Sequence, residues 1–162
     1  MADRETLIAE VARAVALFQS ATDLVDEAAA QRLGINRTDL RCLGLLHAHG
    51  PMNAGRLGAA AGLSPAATTA AIDRLERAGH TRRVRSAEDR RGVLVELTHE
   101  ASARLEEIYG PVGCTGMELL ARYSDAELHL LHTFLADGYH LQVDQAARIR
   151  AADAVAGGSP RS

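Results

Sequence analysis

Residues 62–80 read "GLSPAATTAAIDRLERAGH", and residues 85–98, a few positions on, read "RSAEDRRGVLVELT". In the first stretch Ser64 is a strong helix N-cap. Pro65 falls at the first helical position, where its missing N–H costs nothing. Ile72 and Leu75 mark the inner face, and Gly79 ends the helix. On the side away from that face, the first turns carry only Pro, Ala and Thr, short side chains that leave room for a close partner. The second stretch, with "HTRRVR" before it, predicts two short strands joined by "SAEDRRG", too long for a two-residue turn and too charged for a core. Upstream, Asn53 caps a short helix containing Leu57, Ala60 and Ala61 that closes at Gly62. Two short helices joined through Gly62, followed at once by a charged hairpin, form a winged helix-turn-helix: one helix for a major groove and a loop that reaches the neighbouring minor groove.

Working outward, residues 5–34 place Leu7, Val11, Val15, Phe18, Thr22 and Val25 at spacings of four and three, one helical face, ended by Gly34. Thr38 is the expected N-cap of a second helix to His49, with Leu40, Leu43 and either Leu46 or His47 inward, stopped by Gly50-Pro51. Thr98 caps a helix to about Arg122 that Pro111 should kink or split. "SDAEL" at 124–128 is a capping box, Ser124 with Glu127, and opens a last helix through Leu128, Leu131, Leu135 and Leu141 to about residue 150. The tail, 153–162, turns Gly/Ser/Pro-rich from Gly157 and is expected to be disordered. The fold class is mainly α with a small β-hairpin. A winged helix-turn-helix over 38–98 is flanked by helices at 5–34 and 99–150 whose apolar faces have no other obvious element to bury against.

At 162 residues this is one domain by length, able to bury roughly 70% of its unfolded surface. No run approaches a membrane span, and the acidic, amphipathic start is unlike a secretory signal, so a cytoplasmic protein is expected. All 18 basic residues are Arg, and the net charge of −3 argues against indiscriminate nucleic-acid binding. Yet Asp73 to Arg91 holds seven arginines against four acids, so the basic character is confined to this segment.

"DRRGVLVELT", with Asp89, Arg91, Val95, Leu97 and Thr98, resembles the wing and strand signature of the MarR family of transcriptional regulators. "LSPAATTAAIDRLERAGHTRR" is similar to that family's recognition helix, and "SDAEL" to the start of its last helix. The resemblance covers roughly residues 38–150. It implies a homodimer whose first and last helices intertwine, binding a palindromic operator in double-stranded DNA with half-sites about 34 Å apart. It also implies regulation, as a repressor released by a small effector, commonly an anionic aromatic compound.

Within that resemblance Arg91 is assigned to the minor groove, whose negative potential attracts a guanidinium. Asp89 orients the wing by pairing with Arg91, Arg74 or Arg77, and Arg74, Arg85 and Arg90 suit phosphates. Ser64, Pro65, Ala66, Thr68 and Thr69 form the helix end that enters the major groove, where Thr hydrogen-bonds bases or phosphates and methyl groups meet thymine. Ala70 stands where the family often has a longer polar residue, which shifts weight to the wing and to DNA shape.

Cys42 and Cys114 are far apart with no second Cys nearby, and are expected as buried thiols rather than a disulfide or zinc site. His129 and His132 share a helix face, but the seven histidines form no clear carboxylate-histidine cluster, so no metal and no cofactor is expected. A hydrolase lacks any nucleophile motif, phosphate loop or H-E-x-x-H set, so no enzyme is expected. The alternatives are a winged-helix module that binds protein instead of DNA and a metal-responsive regulator.

Overall fold

The computed structural model describes residues 3–86 and 92–156, with side chains to residue 152. Its elements are α1 (Arg4–Leu33), α2 (Arg37–His49), α3 (Ala54–Ala61), α4 (Pro65–Arg77), β1 (Thr81–Arg85), β2 (Val93–Leu97), α5 (His99–Leu120) and α6 (Asp125–Ala156). The chain forms two compact units, with the boundary between Gly110 and Pro111.

Local chemistry sets most element ends. The Asn53 and Ser64 side chains accept from the backbone N–H groups of Arg56 and Ala67, and Pro65 opens α4. Gly34 and Gly62 close α1 and α3 in the left-handed region, at φ 70° and 69°, where a side chain would be strained. Thr98 accepts from Ala101 N at 3.1 Å at the start of α5. The Glu127 carboxylate accepts from Ser124 N at 2.8 Å and from Ser124 Oγ at 2.6 Å, which holds that carboxyl below its ordinary pKa.

Three expectations are revised. The N-cap of α2 is Asn36, not Thr38: Asn36 Oδ1 accepts from Asp39 N at 2.9 Å while its Nδ2 donates to Asp39 Oδ2 at 3.0 Å, so the box closes two residues earlier. Pro111 does not split α5, which continues from His99 to Leu120; the missing N–H removes one bond of a ladder whose other hydrogen bonds carry the helix past it. The last helix reaches Ala156, so 153–156 belong to α6 rather than to the tail, and 157–162 lie outside the described residues.

The first unit holds the core. Leu43 of α2, Leu57 of α3, Ile72 and Leu75 of α4, Val95 of β2 and Leu105 of α5 are its largest fully buried side chains. Ala29, Ala30 and Leu33 bring in the end of α1, and Leu46 rather than His47 points inward from α2. The antiparallel hairpin pairs Thr81 with Leu97 through Arg85 with Val93. Met52 exchanges both backbone hydrogen bonds with Val95, tying the α2–α3 connection to the hairpin. The predicted face of α1 is different: Leu7, Val11, Phe18 and Val25 are all exposed. In the second unit no described residue is buried, and Leu130, Leu135, Tyr139, Leu141 and Ile149 of α6 stand in solvent. No helix among the described residues is long and apolar enough to cross a membrane.

Candidate nucleic-acid interface

The α3–α4 pair is set by one close approach. Gly58 of α3 faces Thr68 of α4 so tightly that a Cβ on Gly58 would fall 2.3 Å from Thr68 Oγ1. Thr68 is therefore buried, with its hydroxyl donating to Ser64 O at 2.9 Å. That corrects its expected place at the DNA. Position 68 is four residues before Ile72 and seven before Leu75, so it lies on the core face.

The outward face of the same helix is open. Ser64, Pro65, Ala66, Ala67, Thr69 and Ala70 are all exposed. Thr69 Oγ1 donates to Pro65 O at 3.1 Å, so its hydroxyl proton is engaged by its own helix while the residue stays exposed. The result is a smooth, short-chain helix end carrying the positive pole of the helix dipole.

The basic segment is partly neutralised from within. Arg74, expected at a phosphate or with Asp89, makes a bidentate pair with Asp39 of α2, Nε to Oδ2 at 3.0 Å and a terminal nitrogen to Oδ1 at 2.6 Å. The carboxylate is buried and the guanidinium half-exposed, so Arg74 joins α4 to α2 instead of standing free for DNA. This hydrogen-bonded partner raises the Arg74 pKa. Arg83 of β1 is held by Asp73, at 2.8 Å, and by Glu76, both on α4, and Arg82 by its cross-strand partner Glu96 at 2.6 Å. Hydrogen bonding to Asp73 raises the Arg83 pKa in the same way. The Arg83 pairs brace the hairpin against α4, and the Arg82–Glu96 pair ties its two strands together.

Arg77 and Arg85 remain exposed without a carboxylate partner among the described residues. Arg56, on the exposed side of α3, is in the same position and is absent from the sequence-based assignment. The signal that would have found it is an Arg in the first helix of a helix-turn-helix, the helix that crosses the DNA backbone. Asp89, Arg90 and Arg91 lie outside the described residues, and so does any pairing of Asp89. The hairpin strands end at Arg85 and Val93, on either side of them.

Within the first unit, α1, α2 and α5 line an open cavity of about 430 Å³. Leu40, Leu45 and Leu105 give it apolar walls, and Arg37, Arg41, His47, Asp26 and Tyr109 give it polar ones. The Tyr109 hydroxyl donates to Asp26 Oδ1 at 2.9 Å. Burial, then this bond, pushes the phenol up to about 12. Of the thiols, Cys42 is buried, and burial pushes it up, whereas Cys114 is exposed on α5, contrary to expectation. Among the described residues no three His, Cys, Asp or Glu side chains gather as a metal site would require.

Residues 35–93 match the model of the MarR family. The uncharacterized HTH-type transcriptional regulator YcgE of Bacillus subtilis (strain 168) is 34% identical over 140 residues, 85% of this chain and 91% of that protein. A MarR family protein from Bacillus stearothermophilus has a solved structure that superposes with a TM-score of 0.65 at 21% identity, covering 88% of this chain and 99% of that one. NadR in complex with 4-hydroxyphenylacetate superposes with a TM-score of 0.58 at 25% identity, over 76% of this chain and 89% of that one. An open recognition helix braced to a hairpin, with these relationships, places the chain in the MarR family as a DNA-binding transcriptional regulator and not an enzyme.

Proposed function

We propose that the chain acts as a homodimer that reads a palindromic operator and is released from it by a small anionic aromatic effector. The observation that carries the DNA reading is the exposed, short-chain amino end of α4, on a unit that also exposes Arg56 on α3, Arg77 at the carboxyl end of α4 and Arg85 at the end of β1. Ser64, Pro65, Ala66 and Thr69 enter the major groove. Arg56, Arg77, Arg85 and Arg90 take phosphates, and Arg91 takes the minor groove with Asp89 orienting it. Thr68 and Arg74 act behind this surface as supports.

The dimer reading is supported by exposed apolar residues on both terminal helices, among them Phe18 on α1 and Leu135 on α6, a pattern soluble monomers avoid. The effector reading is supported by the α1–α2–α5 cavity. Its size suits a small ligand, and Arg37 and Arg41 favour an anion while the leucine walls favour a ring. A cytoplasmic location agrees with this role.

Fluorescence anisotropy on the DNA upstream of the chain's own gene tests the proposal. Arg91→Ala should weaken binding at least about tenfold while leaving the dimer and its thermal midpoint unchanged. Affinity should also fall steeply with salt as bound arginines release counterions. Unchanged affinity in the variant would sink the wing assignment, and salt-independent association would point to a protein partner instead.

A further inference from the structure

The first turn of α2 faces two ways. Arg37, its first residue, borders the cavity and is held by α1: its guanidinium donates to Asp23 O at 2.9 Å and to Asp23 Oδ1 at 2.5 Å, with Asp26 and Glu27 each at 4.0 Å. Asp39 is two residues on, and residues two apart on a helix point to opposite sides. Its buried carboxylate holds Arg74 of the recognition helix through both oxygens, and it is locked to Asn36 by a hydrogen bond in each direction. One helical turn thus touches the cavity wall through one side chain and the DNA-reading helix through another.

Resting on the operator and effector reading above, we propose that this turn is the relay between the cavity and the recognition helix. Arg37 has two alternative partners, the carboxylates of α1 or an anion in the cavity, and exchange between them moves the turn that carries Asp39. Asp39 and Arg74 are positioning residues: they do not touch DNA, but fix where α4 presents Thr69 and its neighbours. The arrangement in the structure, Arg37 on the carboxylates of α1, is one of the two that energetic coupling between distant sites requires; Arg37 on a bound anion is the other. An anionic effector weakens DNA binding by taking Arg37 from Asp23.

A double-mutant cycle on operator affinity tests this without a known effector. Arg37→Ala, Asp39→Asn and the double variant are compared with the unaltered full-length protein by anisotropy, with thermal midpoints recorded in parallel. Arg37→Ala should weaken operator binding about fivefold, a typical coupling, although Arg37 touches neither α4 nor DNA. In the Asp39→Asn background the same change should alter affinity less than about twofold, because the relay is already cut. An equal effect in both backgrounds, or no effect of Arg37→Ala alone, overturns the relay. A merely structural role lowers thermal midpoints but leaves the affinity effects additive. Should Asp39→Asn fail to fold, Arg74→Lys serves in its place, since it keeps the charge and loses the two-pronged fork. If the unaltered protein does not bind the DNA at all, the operator reading itself fails; if it binds and the cycle is additive, only the relay fails.

Discussion

Gly58→Ala is the sharpest test of how the reading head is built. The added methyl would lie 2.3 Å from Thr68 Oγ1 and 3.2 Å from both Thr68 Cβ and Cγ2. Two branches of Thr68 crowd the same point, so rotating its side chain exchanges one clash for another. In an open helix the substitution would stabilise by about 1 kcal/mol, because Ala is the better helix former. Overpacking costs about 1–3 kcal/mol, and an approach of 2.3 Å falls in the upper part of that range, about 2–3 kcal/mol. The net expectation is a destabilisation of about 1–2 kcal/mol, a fall in thermal midpoint of roughly 2–8 °C for a chain of this size.

Thr68→Ala supplies the control. It removes both clashing branches at a cost of about 1 kcal/mol for the hydroxyl's bond to Ser64 O, a carbonyl that also accepts from Thr68 N. In the double variant only the contact with Cβ of residue 68 remains, at 3.2 Å, which a shift of a few tenths of an ångström relieves, and the two changes should show a favourable coupling of about 2 kcal/mol. Urea unfolding at one fixed protein concentration measures all four corners. A neutral Gly58→Ala, or strictly additive costs, would refute the claim that this contact sets the spacing of the two helices.

Two further outcomes are expected. The protein should sediment as a dimer at micromolar concentration. Phe18→Asp should weaken that dimer at least about a hundredfold, since two copies of a ring worth about 1.5–3 kcal/mol lose their burial; a monomeric parent would overturn the assembly. In an alkaline titration followed by phenolate absorbance, Tyr109 should ionise near 12, and Asp26→Asn should lower that value without restoring 10.0, because burial is the larger cause. A phenol whose folded pKa is raised contributes stability that is intact below pH 10 and lost as pH climbs toward 12, so the midpoint should decline across that window. Ionisation of Tyr109 at about 10 would show that it is not enclosed.

What the sequence made legible is what local chemistry decides. Ser64-Pro65, Asn53, Thr98 and the Ser124–Glu127 box each satisfy backbone groups within three residues, so their types and spacing suffice, and they placed the hairpin and the helix-turn-helix correctly. Where the reading went astray, the deciding partner was distant. Asp39 meets Arg74 across 35 positions, and nothing in "RTDLRC" distinguishes an aspartate that caps its own helix from one that also holds another. Arg74 looked free for the same reason.

Thr68 is the instructive exception, because its burial was readable. It continues the 68, 72, 75 stripe that Ile72 and Leu75 define, and only its polarity suggests the outer face. Burying a hydroxyl there is cheap, since its own helix supplies the acceptor at Ser64. The same stripe logic marks the apolar faces of α1 and α6, with the opposite outcome: both stay exposed within one chain. Periodicity reveals that a face wants burial; it does not say whether the partner belongs to the same molecule. Here the exposed faces and the buried threonine divide the labour between them, the first suiting the proposed dimer, the second fixing the spacing of α3 and α4 within each chain.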